Sequence, residues 1–94
     1  MIRSYRDKPT QRFADGERVR AFQAFAKQAE KRLEALDAAE SLQDLRAVRS
    51  NRLETLKGDR EGQFSIRINN QWRICFEWPD GDDGPSHVEI VDYH

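Results

Sequence analysis

Cysteine, proline, glycine and histidine are all scarce in this 94-residue chain, which has one Cys, three Pro, five Gly and two His. A lone Cys75 excludes an intramolecular disulfide, so the core alone must hold the fold. Its position inside a strand-like run reads as a small buried residue rather than a nucleophile, and a reducing, cytoplasmic setting is expected. His87 and His94, seven residues apart, have no metal-ligand spacing, so neither a metal nor another cofactor is expected. No apolar run is long enough to span a membrane, and Arg3, Arg6, Asp7 and Lys8 leave no apolar stretch for a signal peptide; no membrane association is expected. Neither sign of charge is in excess, with 16 Lys+Arg against 17 Asp+Glu. The bulk charge therefore argues neither for nor against nucleic acid as a partner.

What is present organises into one small domain over residues 1–94. Ile2 to Tyr5 alternates and reads as a short first strand, which Pro9-Thr10 to Gly16 breaks. From Glu17 to Leu36, Val19, Phe22, Ala26, Ala29, Leu33 and Leu36 recur at steps of three and four, an amphipathic helix. Ser41, answered by Asp44, caps a second, shorter helix with Leu42 and Leu45 on its buried side. The period then changes. Arg52 to Leu56 reads as a strand, and Gly58 to Gly62 as a turn-rich connection. Phe64, Ile66 and Ile68 alternate with polar residues, Asn69-Asn70 suits a tight hairpin, and Trp72, Ile74, Phe76 and Trp78 alternate with Arg73, Cys75 and Glu77. Pro79 to Pro85 is a loop before a last strand, His87 to Asp92. Helices followed by strands predict an α+β fold, with N-terminal helices on one face of a small, mainly antiparallel sheet.

That packing has a functional consequence. With Phe64, Ile66, Ile68, Trp72, Ile74, Phe76 and Trp78 facing the helices, Gln63, Ser65, Arg67, Arg73, Cys75 and Glu77 line an opposite, open face. Charge supports an anion site there: residues 46–73 hold seven Lys/Arg against three acids, while the remainder holds nine against fourteen. The chain then closes on Asp92-Tyr93-His94, a carboxylate, a phenol and an imidazole in succession. RNA carries its own nucleophile, the 2′-hydroxyl. A protein can cleave it by supplying a base, an acid and cations for the phosphorane charge. Asp92, Tyr93 and His94 are candidate proton carriers, Arg73 and Lys57 candidate cations, and Arg52, Arg60 and Arg67 candidate RNA contacts.

At these residues the chain resembles the HigB-type toxins of the RelE/ParE superfamily. The resemblance rests on Met1-Ile2-Arg3-Ser4, the helical hairpin, Leu56-Lys57-Gly58-Asp59-Arg60-Glu61-Gly62, Trp72-Arg73-Ile74 and the closing Asp92-Tyr93-His94. It implies a RelE-like microbial RNase fold and a ribosome-dependent mRNA endonuclease in which the Lys57, Arg73, Asp92, Tyr93 and His94 positions take part in cleavage. It also implies a cognate helix-turn-helix antitoxin of HigA type, with operator DNA bound only through the toxin–antitoxin complex. One family member has a catalytic histidine where this chain has Glu54. A carboxylate there repels phosphate and, with an ordinary pKa of about 4.3, is a weak base at neutral pH. Three readings stand: Glu54 is the base, His94 is the base, or the nuclease is weak. The second, with reduced activity, is favoured. Terminal His94 also carries the chain's carboxylate, which favours a protonated ring able to protonate the leaving oxygen. Two further functions remain open: a non-enzymatic, ParE-like gyrase inhibitor, and a catalytically faded toxin that binds its antitoxin and co-regulates transcription.

Overall fold

Asp7 starts the first helix. In the computed structural model, which describes residues 1–92, its side chain accepts the Thr10 N–H at 2.9 Å and caps α1, Lys8–Ala14. Residues 9–14 are thus helical rather than the expected break, because proline is tolerated in a first helical turn, where its missing N–H has no intrahelical partner. The expected 17–36 helix divides in two. Arg20–Phe25 is a 3-10 segment and α2 follows over Ala26–Ala38. Tight 3-10 winding superposes residues three apart, and both Phe22 and Phe25 thereby reach Trp72, with ring centroids 6.0 and 4.7 Å away. Phe13 of α1 joins them edge-on to Phe22 at 5.5 Å. The third helix, α3 (Leu42–Ala47), is capped as expected: Ser41 Oγ accepts the Asp44 N–H, while the Asp44 carboxylate accepts the N–H of Glu40.

The four strands are β1 (Glu54–Thr55), β2 (Gln63–Arg67), β3 (Trp72–Glu77) and β4 (Ser86–Asp92), antiparallel in the order β1-β2-β3-β4. The strand expected from Arg52 shrinks to two residues because Arg52 is left-handed, at φ 46°. The hairpin after β2 falls at Asn69-Asn70, as expected. Asn69 Oδ1 accepts the N–H groups of Gln71 and Trp72 and holds the turn by its side chain. Ile66, Ile68, Ile74, Phe76, Val88 and Ile90 face Phe13, Phe22, Phe25, Ala29, Leu33 and Leu36 across the core. The α+β arrangement, helices on one face of an antiparallel sheet, is as expected.

The outer edge of β4 is sealed by the N-terminal segment. Tyr5 makes a single parallel bridge to Val88, so the expected first strand is reduced to one bridged position. Val88 N–H donates to Ser4 O at 3.1 Å, Val88 O accepts Arg6 N–H at 2.9 Å, and Thr10 Oγ1 of α1 accepts the Ile90 N–H at 3.0 Å. Gly84 permits the close approach: a Cβ there would stand 2.0 Å from Met1 O. An edge so covered cannot pair with another chain. Among the described residues, no helix is long and apolar enough to cross a membrane.

Thr10 is fully buried, so Thr10→Val should keep its shape while orphaning the Ile90 N–H. A loss of about 1–3 kcal/mol in urea unfolding is expected, against a smaller loss for Thr10→Ser; equal stabilities for wild type and Thr10→Val would contradict this role.

Candidate functional site

Strand register places Glu54, Ser65, Cys75 and Glu89 in one row across β1, β2, β3 and β4, on the pleat turned away from the helices. This is the face expected to be open, and it is largely closed. Ser65 and Cys75 are fully buried, and Gln63, Arg73 and Glu89 nearly so. Two things close it. Leu56 is buried without belonging to the main core cluster; its N–H donates to Gln63 O at 2.9 Å, which carries the β1–β2 ladder one residue further and puts Leu56 on the pleat of Glu54. Arg60, from the 3-10 turn Gly58–Arg60, then reaches across to Gln63 Oε1 at 3.0 Å and Glu89 Oε1 at 2.7 Å, with Arg6 Nε 3.7 Å from the same Glu89 oxygen.

Arg73 is the centre of this face. Only 8% of it is exposed, and a guanidinium in that state needs acceptors. Its Nε donates to Ser65 Oγ at 2.8 Å and its Nη2 to the Arg52 carbonyl at 2.6 Å. The left-handed turn at Arg52 exposes that carbonyl, and the preceding residue holds the turn in place. Buried Asn51 accepts from Arg32 of α2 at 2.6 Å and donates to Leu45 O of α3 at 3.0 Å. The remaining nitrogen, Nη1, lies 3.8 Å from the half-exposed Glu54 carboxylate. Arg73→Ala would strip Ser65 and Arg52 of a buried donor. It would cost about 1–3 kcal/mol of stability; Arg73→Lys is the cleaner probe.

The other candidates divide by location. Glu54, Arg52 and Arg73 are in direct contact. Arg67 sits opposite Arg73 in register, but its guanidinium turns to the hairpin, donating to Asn69 O at 3.1 Å and to Asn70 Oδ1. Arg60 is committed to Gln63 and Glu89. Lys57 and Arg52 are exposed, and their side chains make no hydrogen bond or ion pair with another described residue. Asp92 ends β4 opposite Trp72, whereas Arg73 is opposite Val91, so Asp92 lies on the other pleat, accepting from Gln71 Nε2 at 3.0 Å. Tyr93 and His94 lie outside the described residues. Ser65 was foreseen on this face by alternation; Glu89 and Asn51 as anchoring groups were not, although Glu89 alternates with Val88 and Ile90 and so belonged on the polar pleat by the same rule.

Cys75 lies beneath this network. Burial first, then the Glu89 carboxylate, push its thiol up to about 11, against the opposing pull of Arg60, Arg73 and Arg6. At pH 8 the thiolate fraction is on the order of one in a thousand. Clefts elsewhere do not involve this face: one lies among Ile2, Tyr5, Phe13, Leu33 and Asp37, another between Leu42 and Trp78. A face that carries a buried guanidinium, with exposed Arg52 and Lys57 on either side of β1 in sequence, suits an anionic group.

Comparison with known proteins agrees with this architecture. Residues 3–94 match the HigB-like toxin family model, described as the RelE-like toxin of type II toxin–antitoxin system HigB. The chain belongs to this family. It is 49% identical over 51 residues to Toxin HigB-1 of Vibrio cholerae, covering 54% of each chain. It is 41% identical over 63 residues to Endoribonuclease HigB of Proteus vulgaris, covering 67% of this chain and 65% of that protein. The matched stretches thus span just over half and just under two thirds of these relatives' own lengths. The fold is shared with the YoeB–YefM complex from Staphylococcus aureus, at a TM-score of 0.59 and 21% identity over 100% of this chain and 98% of that one.

Native protein at pH 8 should resist a thiol-labelling reagent for hours and react at once in urea. Prompt labelling of folded protein would mean that the Arg60–Glu89 cover is open.

Proposed function

We propose that this toxin cleaves mRNA on the ribosome, in the cytoplasm and without a metal, through attack by the RNA's own 2′-hydroxyl. A base takes the 2′-hydroxyl proton, the oxygen attacks the adjacent phosphorus, and the 5′-oxygen leaves with a proton from an acid. The products are a 2′,3′-cyclic phosphate and a 5′-hydroxyl. The observation that supports this reading best is the Arg73 guanidinium, fixed by Ser65 and Arg52 with Nη1 toward Glu54 and the outer surface. Fixed cations spend no reorganisation energy when phosphorane charge develops. In this reading Arg73 and Lys57 stabilise that charge, Asp92, Tyr93 and His94 carry protons with His94 as base, and Arg52, Arg60 and Arg67 border the RNA path. The ribosome holds the substrate and compensates for the modest catalytic set. A helix-turn-helix antitoxin of HigA type neutralises the toxin, and the pair binds operator DNA.

Reduced activity finds support in the same geometry. Glu54 offers Arg73 an anion in the direction from which a phosphate would approach, and the two compete. Glu54 is half exposed and 3.8 Å away, so the pair is weak, about 0.2–1 kcal/mol.

Brief expression followed by mapping of mRNA ends tests the proposal. Breaks inside translated frames are expected, while purified protein leaves free RNA largely intact; unchanged mRNA with accumulating gyrase–DNA adducts would make the chain an inhibitor of gyrase instead. Glu54→Gln and Glu54→His should each raise cleavage at matched protein levels, by roughly two- to fivefold from the strength of the lost pair. A large loss in both, with unchanged melting temperature, would assign Glu54 the role of base.

A further inference from the structure

Arg73 and Glu89 are the two charged side chains buried among the described residues. The mechanism above uses the first and leaves the second unexplained. Glu89 lies on β4, outside the loop motif and the terminal cluster, yet its Oε1 meets two arginines from distant parts of the chain, Arg60 at 2.7 Å and Arg6 at 3.7 Å. Arg60 is the last residue of the 3-10 turn that Lys57 introduces, and its backbone N–H donates to the Lys57 carbonyl at 3.3 Å. Gly58 and Gly62, at φ 66° and 90°, bracket this turn with backbone that L side chains rarely adopt. A short, glycine-flanked loop has little packing of its own and takes its place from whatever anchors it. Here the anchor spans 29 residues of sequence and crosses from the loop to the sheet.

We propose that Glu89 is a positioning residue for Lys57: through Arg60 it pins the 57–62 loop to the sheet face and fixes where the Lys57 ammonium stands relative to the Arg73 guanidinium. The inference rests on the reading that both cations serve the scissile phosphate. Glu89 itself touches neither substrate nor Lys57. It acts through a charge-assisted bond, the kind strong enough to hold a surface loop in one place, and placement errors of about 1 Å can cost a hundredfold in rate.

The test combines amide exchange with a double-mutant cycle. Glu89→Gln keeps the side-chain volume and removes the charge. Exchange of the 57–62 amides should accelerate, and single-turnover cleavage on programmed ribosomes should fall ten- to a hundredfold. Added to Lys57→Ala, the same substitution should cost less than twofold, since the residue it positions is already gone. Unchanged loop exchange would overturn the anchor, and equal losses in both backgrounds would overturn its action through Lys57. Full activity of Lys57→Ala alone would sink the underlying reading of Lys57, separately visible, and this inference with it. Should Glu89→Gln fail to fold, Glu89→Asp keeps the charge but withdraws the carboxylate from Arg60, and is read by the same outcomes.

Discussion

A buried guanidinium is the constraint on which the rest of this small domain turns. Arg73 can stay inside only while Ser65 and the Arg52 carbonyl accept from it, because an unpaired buried charge costs several kcal/mol, a large fraction of what a domain of this size has in reserve. That requirement reaches back through the chain. The Arg52 carbonyl is presented by a left-handed residue, the turn is held by Asn51, and Asn51 is held in turn by Arg32 and Leu45. One strand residue thus ties the sheet to two helices and a turn. The same bonds that lower the cost of burial leave one guanidinium nitrogen directed toward Glu54 at the surface.

The opposite end of the face repeats the arrangement with the sign reversed. Glu89 is a buried carboxylate satisfied from outside by Arg60 and Arg6. The polar face is therefore built from two inward charges, one positive and one negative, each held by groups from elsewhere in the chain. Cys75 lies between them, where burial holds its thiol protonated. Rigidity on this face comes from polar bonds, while on the helix side it comes from Phe22, Phe25 and Trp72 packing.

Much of this was legible in residue order. Strict alternation in β2 and β3 told which residues share a pleat, and the structure keeps that division: Phe76 and Ile74 face the helices, Ser65, Arg73 and Cys75 the other side. The Ser41 cap was legible because its partner lies three residues on. Three features were not. The helix at Asp7 was hidden by Pro9, which marks a break inside a helix and a beginning in its first turn. The division at Phe25 depends on Trp72, 47 residues away, and local periodicity carries no trace of it. The closure of the polar face depends on Arg60 meeting Glu89, a pairing between two ordinary surface-type residues that composition cannot single out from many charged neighbours. The candidate site divides likewise: motif and alternation bring Arg73, Glu54 and Arg52 together, whereas Asp92 stands on the other pleat and Tyr93 and His94 lie outside the described residues.

The role proposed for the fixed cations on this face is to assist an attack which the substrate itself supplies. It is tested most directly in a reconstituted translation system programmed with an mRNA carrying a single 2′-deoxyribose at a mapped cleavage position. This message should survive while its all-ribose twin is cut. Cleavage of both at the same rate would show that the nucleophile is not the 2′-hydroxyl.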